Sequence, residues 1–223
     1  MARSRRASVD AVLVVGLGRF GGAVADQLSE LGVDVLAVES DVVPVQQWAE
    51  KLTHVVQADA TDPEALKQLG ADEFQRAVVA IGNLEASILC VTALVDLGVS
   101  EIWAKALTTA HGRILERVGA TRVVFPEHEM GQRVAHQVTG QLLDFMVVEG
   151  GFALGEVRVT DVLGGQTLRE TGLRSKDGVS VLAVKSGTAD FVPALPDIRL
   201  EVGDLLVVAG MQDDVERFAR RYC

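Results

Sequence analysis

VVGLGRFGGAV, from Val14 to Val24, carries glycines at Gly16, Gly18 and Gly21, directly after an apolar run and directly before a helical pattern. The G-x-G-x-x-G spacing is a weak signal alone and a strong one between a strand and a helix. In that setting the first glycine permits the tight turn and the second lets the backbone approach a pyrophosphate. The third lets the helix pack closely on the sheet. An acidic residue is then expected at the end of the second strand, about 20 residues on. Glu39, in VLAVESD (Val35–Asp41), stands there. Its carboxylate can accept hydrogen bonds from ribose hydroxyls and repels a 2′-phosphate, which disfavours NADP. Arg19, inside the turn, adds a fixed positive charge where phosphates would lie.

Outward from this turn, short apolar runs alternate with amphipathic stretches as far as Phe125. The runs predict strands at Ala11–Val15, Asp34–Glu39, His54–Gln57, Arg76–Ile81, Ile102–Lys105 and Arg122–Val124. Helices are predicted at Phe20–Leu31, Val42–Lys51, Pro63–Leu69, Leu84–Leu97 and Ala110–Val118. Gly32, Gly70, Gly98 and Gly119 follow four of these helices, as C-capping glycines do. Near-continuous Val, Ile, Leu and Ala in the strands suits a parallel sheet covered on both faces. The alternation therefore predicts an α/β fold, a Rossmann-like doubly wound parallel sheet. QADAT (Gln57–Thr61), AIGN (Ala80–Asn83) and Lys105 all end strands. They fall at the carboxyl edge, where open α/β sheets bind ligands.

The pattern changes after Pro126. EHEMGQRVAHQVTGQLLDFM (Glu127–Met146) reads as a helical connector that turns apolar. From about Asp144 short strands and turns follow: FALGEVRV, GVSVLAVKSG, DFVPAL and DLLVVAG. The amphipathic segment Gly165–Leu173 interrupts them, and MQDDVERFARR closes the chain as a helix. We therefore expect a nucleotide-binding domain over residues 10–140, crossover helix included, and a small α+β domain over 141–223.

The formal net charge of −10 makes wrapping a nucleic-acid backbone electrostatically costly, so no nucleic-acid partner is expected. A small phosphorylated ligand, held by local N–H groups, is not excluded by that charge. No apolar run approaches the roughly 18 to 20 residues of a membrane span. MARSRRAS reads as a solvated basic tail at Arg3, Arg5 and Arg6, with no leader pattern after it. Of the two cysteines, Cys90 lies in the apolar pattern ASILCVTALV and reads as a buried small hydrophobe, and Cys223 is the last residue. No disulfide framework follows, and a reducing compartment is the default.

Chemistry is harder to find. A dehydrogenase needs a proton donor or acceptor beside the nicotinamide, yet no Tyr-x-x-x-Lys occurs, and Tyr222 is the sole tyrosine. His54 begins a strand, and His111, His128 and His136 fall in helical segments. His128 and His136 have no zinc-site spacing and read as solvated helix positions. No paired carboxylates, Ser/His pair or Walker lysine is apparent. The chain reads as a nucleotide reader without catalysis. An NAD(H)-dependent oxidoreductase lacking a recognisable acid or base, and a free-standing ligand sensor, are the alternatives.

The sequence also resembles the KtrA/TrkA family, the RCK (regulator of K⁺ conductance) proteins that gate bacterial potassium uptake. The resemblance rests on Val14–Gly21, Gln57–Ala71, Val78–Leu89, Ile102–Ala106 and Ile114–Ala135. In the second domain it rests on Leu173–Gly187 and Leu200–Gly210. It spans nearly the whole chain, at the length of the single-unit, KtrA-like members. It implies a non-enzymatic regulatory subunit, cytoplasmic and held at the inner face of the membrane by a KtrB- or TrkH-like K⁺-translocating subunit. It also implies homodimers that assemble into an octameric ring. ATP or ADP, and in many members NAD or NADH, would occupy the N-terminal crevice.

Carried over by motif, Gly16, Leu17, Gly18, Arg19, Phe20 and Gly21 form the phosphate loop, with Arg19 on the outer phosphates. Glu39 and Ser40 take the ribose end. Asp59, Ala60 and Thr61 line the adenosine side, with Ile81, Gly82 and Asn83 nearby, and Lys105 faces the phosphates. Glu127, after the proline of FPEHEMG, matches a position near Mg²⁺ or another divalent cation bound with ATP. A carboxylate facing a triphosphate needs such a cation between them. A cyclic di-AMP pocket is implied at Leu173, Arg174 and Pro193.

Overall fold

The computed structural model describes residues 11–139 and 142–222. The basic tail at Arg3, Arg5 and Arg6, Gln141 at the expected domain boundary, and Cys223 lie outside these residues. The chain divides into two compact units, one ending at Glu127 and the other beginning at His128. The Pro126–Val138 helix, assigned above to the first domain, crosses this division.

In the first unit, strands β1 (Val12–Val15), β2 (Val35–Glu39), β3 (His54–Gln57), β4 (Arg76–Val79), β5 (Glu101–Lys105) and β6 (Arg122–Val124) alternate with helices. The helices are α1 (Arg19–Glu30), α2 (Val42–Ala49), α3 (Pro63–Gln68), α4 (Leu84–Asp96) and α5 (Thr109–Arg117). The strands form one parallel sheet in the order β3-β2-β1-β4-β5-β6. The order reverses direction beside β1, and a doubly wound sheet opens its ligand crevice at that point. Each expected element is present, with ends within about two residues, the usual scatter of helix and strand ends. Two ends shift by two residues: α2 stops at Ala49 and β4 at Val79. Ala80 still donates its N–H to the Val15 carbonyl at 2.7 Å, and the chain then leaves the sheet to form one wall of the crevice.

β1 is buried on both faces. Leu13 and Val15 pack into one core with Val79, Leu94, Ile102 and Leu115. Val12 and Val14 pack into another with Ala25, Ala37 and Leu52. Each of these valines, leucines and isoleucines stabilises the fold by roughly 1.5–3 kcal/mol on burial. Local sequence sets where the helices start. Asp41, Asp62, Asn83 and Thr108 cap α2, α3, α4 and α5 by accepting a backbone N–H, and Pro63 fills the first position of α3.

The helix α6 (Pro126–Val138) leads into the second unit, which is built on five antiparallel strands. These are β7 (Asp144–Val147), β8 (Phe152–Arg158), β9 (Ser180–Lys185), β10 (Val192–Pro193) and β11 (Leu205–Met211). They run in the order β10-β9-β11-β8-β7. The amphipathic segment read as one element is two short helices, α7 (Leu168–Thr171) and α8 (Leu173–Asp177). Gly172 between them, at φ +64°, caps the first and breaks the run. The closing helix α9 (Gln212–Tyr222) buries Val215, Phe218, Ala219 and Tyr222, the i, i+3, i+4, i+7 stripe of an amphipathic helix. Its end is tied down by polar contacts. Tyr222 donates its hydroxyl to the buried Asp177 at 3.1 Å, Arg221 donates to the same carboxylate at 3.2 Å, and Thr160 donates to the Tyr222 carbonyl at 2.6 Å.

Candidate functional site

The Gly-rich turn runs from the end of β1 into α1, and its glycines do three different jobs. Gly16 sits at φ +92°, a conformation that side chains rarely adopt, and a Cβ there would press on the Ala80 backbone at 3.1 Å. A Cβ on Gly21 would overlap the Gly16 carbonyl oxygen, so helix and turn touch only because the side chain is missing. Gly18 meets nothing within 4 Å. A side chain there would project into open space, the space a ligand backed by this loop needs. α1 starts after Gly18 with no side-chain cap and no acidic residue in its first turn. Its first N–H groups and the positive end of its dipole are left for an anion.

A cavity of about 250 Å³ opens beside the turn. Gly16, Gly18, Glu39, Ser40, Asp59, Ala60, Thr61, Ile81 and Gly82 border it, together with Val15, Val38, Ala58, Ala80 and Ala86. Nine of the residues expected from the sequence thus meet at one crevice, at the carboxyl ends of β1, β2, β3 and β4. Ala58 and Ala80, within the QADAT and AIGN stretches, also line it, while Ala86 was not expected. Alanine carries no chemistry to flag it, although capping of α4 by Asn83 places Ala86 in the first turn beside the crevice.

Glu39 ties the crevice together. One carboxylate oxygen accepts the Leu17 N–H at 2.7 Å. The other accepts the N–H groups of Ser40 and Asp41 at 2.8 and 3.1 Å and the Ser40 hydroxyl at 3.1 Å. The acid expected to meet a ribose therefore also pins the glycine loop. Asp59 is fixed in the same way: one oxygen accepts both the N–H and the hydroxyl of Thr61, at 2.9 and 2.7 Å. These two bonds hold its pKa below the ordinary aspartate value.

The remaining expected residues lie off the crevice wall. Leu17 is buried and offers its backbone. Arg19 is exposed on the first turn of α1, and Phe20 is half-buried beside it. Asn83 uses its side-chain oxygen to accept the Ala86 N–H at 2.9 Å. Lys105, at the end of β5, donates to Glu127 at 2.5 Å. That bond is the largest influence lowering the Glu127 pKa, and the charge of Arg19 adds to it. Among the described residues no three His, Cys, Asp or Glu side chains are grouped to hold a metal ion. A lone carboxylate beside phosphate oxygens is still the usual manner of Mg²⁺ binding, since that ion keeps waters and takes one or two protein oxygens.

In the second unit a cavity of about 460 Å³ is lined by Leu168, Arg169, Leu173, Arg174, Ser180 and Leu195, among others. Leu173 and Arg174 were expected there, and Arg174 donates its Nε to the Ser180 hydroxyl at 3.1 Å. Pro193 lies instead on β10, paired with Ala183. His136, read as solvated, is half-buried, its ring 4.5 Å from that of Phe145 and its Nε2 3.9 Å from Glu216. Cys90 is free and buried, as its apolar surroundings predict. No helix among the described residues is long and apolar enough to cross a membrane.

Residues 12–126 match the TrkA-N domain and residues 154–222 the TrkA-C domain. The chain is 38% identical over 210 residues to the Ktr system potassium uptake protein C of Bacillus subtilis, covering 93% of this chain and 95% of that protein. Among solved structures, the RCK domain of GsuK is similar in fold, with a TM-score of 0.66 at 18% identity over 99% of this chain and 48% of the other. GsuK bound to ADP is similar over 60% of this chain and 35% of the other, at 25% identity and a TM-score of 0.51.

Proposed function

The chain belongs to the RCK family built from a TrkA-N domain followed by a TrkA-C domain, and on that premise we propose that it is the nucleotide-sensing regulatory subunit of a potassium uptake system. It is a regulatory protein and not an enzyme. The observation that carries the nucleotide reading is the crevice, where an uncapped helix start, a side-chain-free Gly18 and the Glu39 carboxylate converge at the switch point of a doubly wound sheet. The ligand class is an adenine nucleotide: ATP or ADP, or NAD or NADH.

In this reading the α1 amides and the glycine loop hold the phosphates, and Arg19 and Lys105 supply positive charge to the outer ones. Glu39 receives the ribose hydroxyls, exchanging its bond to the Leu17 N–H for bonds to the ligand. Asp59, Ala60 and Thr61 border the adenosine. With ATP, Glu127 would hold Mg²⁺ or another divalent cation against the outer phosphates. The cation would neutralise charge that the carboxylate alone would repel. A change of nucleotide shifts the loop that Glu39 pins, and copies of this chain, as dimers in an octameric ring, pass that shift to a KtrB- or TrkH-like K⁺-translocating subunit. The protein is accordingly placed in the cytoplasm, at the inner face of the membrane through that partner. The arginine-lined cavity at Leu173 and Arg174 is read as the place for cyclic di-AMP, whose phosphates suit Arg169 and Arg174.

Thermal unfolding with each nucleotide in turn, with and without Mg²⁺, tests the reading. A ligand at about a hundredfold over its Kd stabilises by roughly 2.7 kcal/mol, several degrees for domains of this size. A shift with ATP or ADP supports it. No shift with any adenine nucleotide, or slow oxidation of NADH by a carbonyl compound, overturns it.

A further inference from the structure

His111 has no part in the crevice as described, yet its imidazole is fully buried and doubly hydrogen-bonded. It lies on α5, 1% exposed. Its Nδ1 accepts the Leu107 N–H at 3.3 Å, so Nε2 carries the ring proton and donates it to the Ser87 hydroxyl at 2.8 Å. Ser87 in turn donates to the Leu84 carbonyl at 2.9 Å. This chain joins two segments that border the nucleotide site. Leu84 and Ser87 lie in the first turn of α4, which contributes Ala86 to the crevice and follows Gly82 after the capping Asn83. Leu107 lies in the turn after β5, two residues beyond Lys105. A core position could have held leucine. A buried polar group that is fully partnered specifies geometry instead.

We propose that His111 is a positioning residue for the nucleotide crevice, its neutral ring holding the first turn of α4 against the turn that carries Lys105. The inference rests on the nucleotide reading above. Only the neutral Nε2–H tautomer makes both bonds. A second proton would sit on Nδ1, facing the Leu107 N–H, and would place a charge where no water reaches. The other titratable groups on the packed elements do not offset that charge. Cys90, the next buried residue of α4, has its thiol pushed up to about 12 by burial and stays neutral. Lys105 is paired with Glu127. Glu85 and Asp96 on α4, Glu101 on β5, Arg113, Glu116 and Arg117 on α5, and Arg122 on β6 are exposed. Burial alone lowers the His111 pKa below its ordinary value. Acid therefore opposes the tie, and nucleotide affinity falls with it.

The test compares ADP affinity of the full chain with that of His111→Gln, whose amide can donate to Ser87 but takes up no proton. The ratio of the two affinities is measured from pH 5 to 8, which cancels the ionisation of ADP itself. The ratio is expected to be flat above pH 7. As pH falls below 6.5 toward the lowered value of the buried ring, the wild type should lose affinity progressively relative to the variant, down to pH 5. The same samples give hydrogen exchange at the Leu107 amide, whose protection should fall over the same pH range in the wild type only. A flat ratio with good ADP binding overturns the role of His111 and leaves the nucleotide reading standing. Leu107 protection that follows the His111 titration without any ADP binding supports the tie and overturns the nucleotide reading instead. If His111→Gln does not fold, Ser87→Ala serves. Removing the Nε2–H acceptor should weaken ADP binding at pH 7.5, and unchanged affinity in that variant overturns the role.

Discussion

The carbonyl oxygen of Gly16 stands where the Cβ of any residue at position 21 would have to be, and the Ala80 Cβ lies 2.7 Å from the same point. Backbone cannot yield there as a flexible side chain could. Gly21→Ala should therefore lower stability by about 3 kcal/mol, seen as a fall in Tm of roughly 10 °C or more. Gly18→Ala is the contrasting case, because a Cβ there meets nothing within 4 Å and the backbone lies at negative φ. Its stability should stay within about 1 kcal/mol of the parent, while ADP affinity drops at least tenfold because the methyl fills the ligand's space. Unfolding and ADP titration of both variants check the pair. Full ADP affinity in Gly18→Ala would contradict the crevice assignment.

Glu39 makes a different kind of bridge, across 22 positions of sequence, to the Leu17 N–H. The extra methylene of glutamate over aspartate gives it that reach. Glu39→Asp should lose the Leu17 bond while keeping a carboxylate for Ser40 and Asp41, at about 1 kcal/mol of stability. Glu39→Gln should do more, because it turns an amide N–H toward backbone donors. Both should weaken adenine nucleotide binding, and Glu39→Gln should narrow any preference for NAD over NADP by removing the charge that repels a 2′-phosphate. Chemical denaturation and competition titrations with NAD and NADP measure these effects. A preference untouched by Glu39→Gln would place the ribose elsewhere.

The Lys105–Glu127 pair should matter for ligand and little for folding. Lys105 is mostly covered, but Glu127 is 56% exposed, and such pairs contribute about 0–1 kcal/mol. Lys105→Ala and Glu127→Gln should each keep the parental Tm to within a few degrees. They should diverge with ATP. Losing Lys105 removes a positive charge facing the phosphates and weakens ATP binding with or without Mg²⁺. Glu127→Gln should leave ADP binding intact and abolish the gain that Mg²⁺ brings to ATP. Calorimetry of both variants with ATP, with and without Mg²⁺, separates these outcomes. A full Mg²⁺ effect in Glu127→Gln would remove Glu127 from the cation's surroundings.

Backbone constraints explain what could be read from the sequence in advance. Gly16 and Gly21 answer steric demands of one turn, so the glycine spacing, set between an apolar run and a helical pattern, locates β1, α1 and the crevice. Asp62 before Pro63, and Asn83 before a helical run, mark helix starts because capping is a local interaction. Glu39 was legible as the acid that ends the second strand, but its grip on Leu17 was not, since that bond exists only once β1 and β2 pair. Ser87 and His111, 24 positions apart, look like ordinary polar helix residues until the fold buries them together. The second unit was read more coarsely. Its strands are short, and β7 begins at Asp144, where the reading passed from the connector to short strands but did not single it out, because its few residues show no clear period. Gly172 did carry a signal: a glycine inside a short amphipathic run ends one helix and begins another.

Stability should respond to acid in two separate steps. His111 has its folded pKa lowered by burial, so the unfolded chain takes up this proton more readily than the folded one. Its contribution is complete above the unfolded value near 6.5 and is lost as pH falls below it toward the folded value. Asp59, Glu127 and Asp144 also have lowered folded pKa values, through bonds from Thr61, Lys105 and Arg133 respectively. Their contributions are present above about pH 4 and are lost as pH falls further. The unfolding free energy should therefore be flat from pH 8 to 7, decline below 6.5, and decline again below 4. Urea denaturation across this range should show both steps in the wild type and only the lower one in His111→Gln. A wild-type profile flat from pH 7 down to 4.5 would mean that the buried imidazole can be charged without loss, and the Leu107–His111–Ser87 tie would then not hold as drawn.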